Sequence, residues 1–161
     1  MQPDREPLVV IGVGNLTRGD DAIGRLVAQA LATKHLPEIR VTEVEGEATQ
    51  LLEAFAGAAD VIVIDACRSD APAGTIHRYD AAQTPIPADI ACISSHGFGL
   101  AAALELARTF EQLPHRCIVL AVDGKDFTQG APLSAQVAAQ FDALMARIAQ
   151  EIGHMRPASA S

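Results

Sequence analysis

Leu8-Val-Val-Ile-Gly-Val-Gly-Asn-Leu-Thr-Arg-Gly-Asp-Asp-Ala-Ile-Gly24 is the stretch whose reading decides the fold. Leu8 to Ile11 form an apolar run without polar alternation, the pattern of a strand buried on both faces of a sheet. Gly12 and Gly14 then permit a tight turn or a close approach of the backbone to another group, and Asn15 suits the dihedrals of a turn. Ala22, Ile23, Leu26, Val27, Ala30 and Leu31 recur at helical spacing. Between strand and helix stand two adjacent carboxylates, Asp20 and Asp21. Asp20 is placed to cap the helix by accepting from amides of its first turn, a role asparagine fills about as well. A cap needs one acid, so Asp21 asks for a second explanation.

Strand-like and helix-like segments alternate through the rest of the chain. Residues 39–44 alternate as a second strand. Ala48, Leu51, Leu52, Phe55 and Ala56 mark a helix over 47–57, with Gly57 as its stop. Asp60-Val-Ile-Val-Ile-Asp65 is β-branched through its middle and ends in a carboxylate. Alternation of this kind implies an α/β fold with a mostly parallel sheet. The strand at Gly74–Tyr79 is the exception. About nine residues separate it from Asp65, fewer than the dozen or so a parallel crossover needs, so it is expected to run antiparallel at or near the sheet edge. Residues 81–95 read as a long loop, which is a common home for function. Ser94-Ser-His-Gly opens a helix carrying Leu100, Ala103, Leu104 and Ala107. Residues 116–122 form another buried strand, and 133–152 a last amphipathic helix capped by Ser134.

Composition narrows the class. With 161 residues and 49% apolar side chains, the chain can bury one sizeable core. Residues 8–152 are expected as a single domain, with a tail at 1–7 and a small, polar, disordered tail at 153–161. No run of about 18 apolar residues occurs, so no membrane span is expected. The N-terminus lacks a signal-like pattern, which points to the cytoplasm. A net charge of −8 disfavours a nucleic-acid partner. Cys67, Cys92 and Cys117 have no paired spacing, which fits neither a disulfide framework nor a zinc ribbon. Cys117 reads as a core thiol, and Cys67 and Cys92 read as loop residues.

In an open α/β sheet, ligands gather at the carboxyl ends of the strands. Asp21 follows the first strand, Asp65 ends the third, and His96 follows the long loop. Two carboxylates and an imidazole suit a borderline divalent ion such as zinc or nickel. Each residue also has a plainer reading. Asp21 can serve as a helix-dipole partner and His96 as a cap, whereas a carboxylate ending a buried strand is costly without a partner. Gly12-Val-Gly14-Asn-Leu-Thr17 resembles a dinucleotide fingerprint, with Glu43 and Glu45 near the ribose position. Its third glycine is replaced by Thr17, however, and the aspartates occupy ground where a pyrophosphate needs positive potential. Ser94, Ser95 and His96 offer hydrolase residue types without a G-x-S-x-G elbow. A Cys67/His96 pair is disfavoured because the neighbouring Asp65 makes Cys67 a poorer thiolate.

Gly12-Val-Gly-Asn15, Asp20-Asp-Ala-Ile-Gly24, Ile64-Asp-Ala66 and Ser95-His-Gly97 together resemble the motifs of the hydrogenase maturation endopeptidases, over about residues 8–152. Members of that family trim a C-terminal extension from the large-subunit precursor of nickel–iron hydrogenases after nickel insertion. The resemblance implies a three-layer α/β/α sandwich whose five-stranded sheet has one antiparallel strand. It implies Asp21, Asp65 and His96 as the catalytic and metal-engaging set, at an exposed cleft. It also implies nickel supplied by the substrate and bound weakly or not at all by the free protein. Ala22 stands where many members have glycine, and Ala121-Val-Asp-Gly124 where many have Gly-Ile/Val-Glu-Pro. A nucleotide-binding module without peptidase activity is the alternative from another class.

Overall fold

The computed structural model describes residues 7–87, 91–92 and 99–157. Its sheet has the strand order β2-β1-β3-β6-β4. The strands are β1 (Leu8–Val13), β2 (Ile39–Val44), β3 (Asp60–Arg68), β4 (Ile76–Asp80), a two-residue β5 (Ala91–Cys92) and β6 (Arg116–Asp123). β1, β2, β3 and β6 run parallel, while β4 pairs antiparallel with β6 at the edge, as the short connection requires. β5 is an addition to the expected five strands. It pairs antiparallel with Cys67 and Arg68 of β3, so part of the expected loop is sheet.

Alternating residues of the central strands feed two cores. Val9, Ile11, Val61, Val63, Val119 and Ala121 face α2 (Ala48–Phe55) and α3 (Leu100–Thr109). Leu8, Val10, Ile62, Ile64, Ile118 and Leu120 face α1 (Ile23–Ala32) and α5 (Phe141–Met155). Helices on both faces explain why the central strands are apolar without alternation. β2, at the other edge, is only half-buried. Cys117 is the core thiol expected, and burial pushes its pKa up to about 12.

Several boundaries differ from expectation. A 3-10 turn over Gly19–Ala22 precedes α1. α3 begins at Leu100, after an extended Gly99, and the expected start at Ser94 lies outside the described residues. The last helix is two helices. A short α4 (Ala135–Ala138), capped by Ser134 as expected, ends before Gln140, whose φ of −95° and ψ of 1° break the ladder. α5 then runs to Met155, past the expected end at 152. The tails at 1–6 and 158–161 lie outside the described residues. Among the described residues, no helix is long and apolar enough to cross a membrane.

Candidate active site

β1 sends its outgoing chain through α1 on one face of the sheet to β2. Its other neighbour, β3, belongs to the half of the sheet that continues to β6 and β4. The carboxyl ends of β1 and β3 therefore flank a topological switch point, where a crevice opens in folds of this kind. Asp21 and Asp65 both lie there.

Small residues bring them together. Gly14 has φ +142°, and a Cβ on it would sit 1.8 Å from the Asp21 carbonyl oxygen. A Cβ on Gly24 would meet the Ile64 carbonyl oxygen at 2.3 Å and that of Val13 at 2.6 Å. The 3-10 turn and the start of α1 thus rest directly on the ends of β1 and β3, which only residues without a Cβ allow. Asn15 opens the expected turn, its carbonyl accepting from the Arg18 amide at 3.2 Å, without a positive φ. Its side-chain oxygen accepts from the Thr17 amide and hydroxyl, and its backbone N–H donates to Asp21 Oδ2 at 3.0 Å.

Both carboxylates are buried, at 1% exposure for Asp21 and 2% for Asp65, so an exposed cleft is not what surrounds them. Burial raises the Asp65 pKa well above its ordinary value. The charge of Asp21 raises it further, against one hydrogen bond from the Ala66 amide. Burial also raises Asp21, partly offset by the Asn15 amide and the charge of Arg18. Asp21 Oδ1 is buried and has no hydrogen-bond partner among the described residues. Two buried, mutually repelling carboxylates with an orphaned oxygen form a site whose charged state needs a cation or shared protons. His96, the third expected member, lies outside the described residues, as do Ser94 and Ser95.

Asp20 does something the sequence did not suggest. It does not cap α1. Its Oδ2 accepts from the amides of Lys125 and Asp126 at 2.7 and 3.0 Å, and its Oδ1 from Ser134 at 2.7 Å. It ties the segment after β6 to the turn that carries Asp21. Replacement by asparagine would present an amide donor to at least one of these N–H donors, so the substitution is not the mild one that capping implied.

The nucleotide alternative meets physical obstacles. The space above Gly14 is filled by Asp21, and Glu43 is engaged by Arg25 at 3.0 Å and Gln29 at 2.8 Å. Cys67 is also not in a loop. It lies inside β3, fully buried, because β3 continues past Asp65 between β6 and β5. It belongs to a second cluster that sequence reading missed, since His77 and Asp123 reach it from different strands.

Comparison with known proteins agrees with this architecture. The HycI family profile, described as hydrogenase maturation protease, matches residues 25–151. The hydrogenase maturating endopeptidase HybD from E. coli is similar in structure, with a TM-score of 0.77 at 21% identity over 93% of this chain and 94% of that one. An endopeptidase from Escherichia coli gives 0.80 at 22%, over 93% and 94%. The [NiFe] hydrogenase maturation protease HybD from Thermococcus kodakarensis gives 0.72 at 23%, over 91% and 98%. At such identities these structures speak for the fold. The comparison with curated proteins finds no match.

Proposed function

The chain belongs to the hydrogenase maturation protease family, and from that membership we propose that it removes the C-terminal extension of a [NiFe] hydrogenase large-subunit precursor after nickel insertion. Residues 8–152 act as one peptidase domain, working in the cytoplasm where such a precursor is assembled. Nickel arrives in the precursor as part of the substrate. Asp21 and Asp65 engage it, with His96 as the third group.

The observation that carries this reading is the buried Asp21–Asp65 pair at the switch point, with Asp21 Oδ1 unpartnered among the described residues. A carboxylate oxygen in that state is ready to accept an ion without first breaking a hydrogen bond. Its cost in the empty protein is the cost of a buried polar atom left unmade. Cation binding offsets the repulsion between the two acids, so the pair favours precursor that carries metal over precursor that does not. The scissile bond is then attacked by water activated by the ion or by one of the carboxylates.

The test is incubation of the purified chain with nickel-loaded and nickel-free precursor, followed by the mass of the large subunit. The expected outcome is loss of the extension from the loaded form alone. Equal processing of both forms would remove nickel from the recognition step.

A further inference from the structure

We propose that Cys67, His77 and Asp123 form a second divalent-cation site, distinct from the Asp21–Asp65 pair and selective for a borderline ion of the zinc, cobalt or nickel kind. The three residues come from three neighbouring strands, β3, β4 and β6. Each offers one ligand atom, and these atoms lie within 4.8 Å of one another. Cys67 and Asp123 are direct register partners, so their side chains leave the same face of the sheet. His77 lies on the next strand, opposite Ala121, and turns toward Asp123 with Nε2 2.5 Å from Oδ2.

The surroundings hold these donors in place. Asp123 Oδ1 accepts from the Ser69 amide at 2.7 Å, the Ser69 hydroxyl lies 2.9 Å from both carboxylate oxygens, and Oδ2 also faces His77. The His77 ring stacks on Tyr79, with centroids 6.1 Å apart and planes 15° from parallel. Outer hydrogen bonds and packing of this sort orient ligands before an ion arrives. Cys67 and Asp123 are buried, while the His77 side chain is 22% exposed and marks the way in from solvent.

The donor set decides the ion. One thiolate, one imidazole and one carboxylate match zinc-like ions, whereas magnesium and calcium take oxygen. Bonds of about 2.0–2.3 Å to a tetrahedral centre place ligand atoms roughly 3.4 Å apart. Cys67 needs a small inward rotation, and the His77–Asp123 pair opens by about 1 Å, the neutral imidazole taking the ion on Nε2 as the tautomer that carries its proton on Nδ1. The thiol releases its proton to solvent on binding, and no oxidation step is involved. Asp65 lies two residues before Cys67 on β3, about 7 Å away along the strand, and is not one of the three donors.

The probe is Co2+ added to the reduced full chain, read by absorbance. Thiolate ligation gives a near-ultraviolet charge-transfer band that carboxylate and imidazole ligands do not, so the signal is independent of the Asp21–Asp65 reading. One equivalent is expected to produce the band in the wild type and in Asp21→Asn. Cys67→Ser is expected to abolish it. His77→Gln is expected to weaken binding by about 100-fold or more, beyond the usual loss from removing an outer partner. Circular dichroism checks each fold, and if Cys67→Ser does not fold, His77→Gln decides. No band in the wild type, a band surviving in Cys67→Ser, unchanged affinity in His77→Gln, or a band lost in Asp21→Asn would each overturn the site.

Discussion

Asp20 and Asp21 are neighbours in the chain, yet their carboxylates meet opposite environments. Asp20 receives three backbone amides from the segment after β6. Among the described residues, Asp21 receives one and keeps a buried oxygen without a partner. The sequence reading separated the two acids by giving Asp20 a helix cap, a role it does not have in the fold. The actual partners of Asp20 were not legible, because more than a hundred residues separate it from the amides it holds. At Asp65 the physics gives a signed expectation. Its folded pKa lies above the ordinary 3.8, so the folded protein binds more protons than the unfolded chain as pH rises past that value. Asp65 therefore lowers stability progressively from pH 3.8 up to its raised pKa. Asp65→Asn keeps the acceptor for the Ala66 amide and removes the titration. The variant is expected to melt higher than the wild type at pH 7, each 1 kcal/mol appearing as about 2–4 °C in Tm, with the gap closing toward pH 4. A variant that melts lower at pH 7, with the wild-type pH slope, would contradict the burial argument.

At the scale of elements, periodicity and connection length were enough to place four parallel strands and to turn β4 antiparallel. They failed where the determinant is lateral. β3 continues through Cys67 because β6 and β5 pair with it on either side, and no local propensity at Ala66-Cys67-Arg68 announces that. The Cys67–His77–Asp123 cluster was missed for the same reason, since a parallel sheet brings together residues dispersed along the chain. The contact that builds the candidate active site is between elements too. Gly24, at the start of α1, lies against the backbone of Ile64 and Val13. Gly24→Ala forces a Cβ into backbone oxygens that cannot move aside independently. It is expected to cost about 1–3 kcal/mol, as overpacking does, and to lower cleavage by shifting Asp21 away from Asp65. Gly153→Ala is the matched control. A Cβ there meets nothing within 4 Å, and the change should stabilise α5 by roughly 0.5–1 kcal/mol through helix propensity. Urea unfolding of both variants reads the difference, and equal effects would show that the Gly24 contact is not tight.

For the whole molecule, the fold explains why two acids that begin 44 residues apart in sequence can act as one group. The sheet carries β1 and β3 side by side, the chain leaves β1 toward α1, and Asp21 and Asp65 are buried at their carboxyl ends. The central claim is that the Asp21 carboxylate engages the metal carried by the precursor. The most direct measurement is the rate of cleavage of nickel-loaded precursor by wild type and Asp21→Asn, with circular dichroism and thermal melting of each enzyme. Asparagine preserves volume and the acceptor for the Asn15 amide while removing the charge at the ion. The account predicts a folded variant, at least as stable as the wild type, whose cleavage falls to background. Cleavage by Asp21→Asn at the wild-type rate would contradict it.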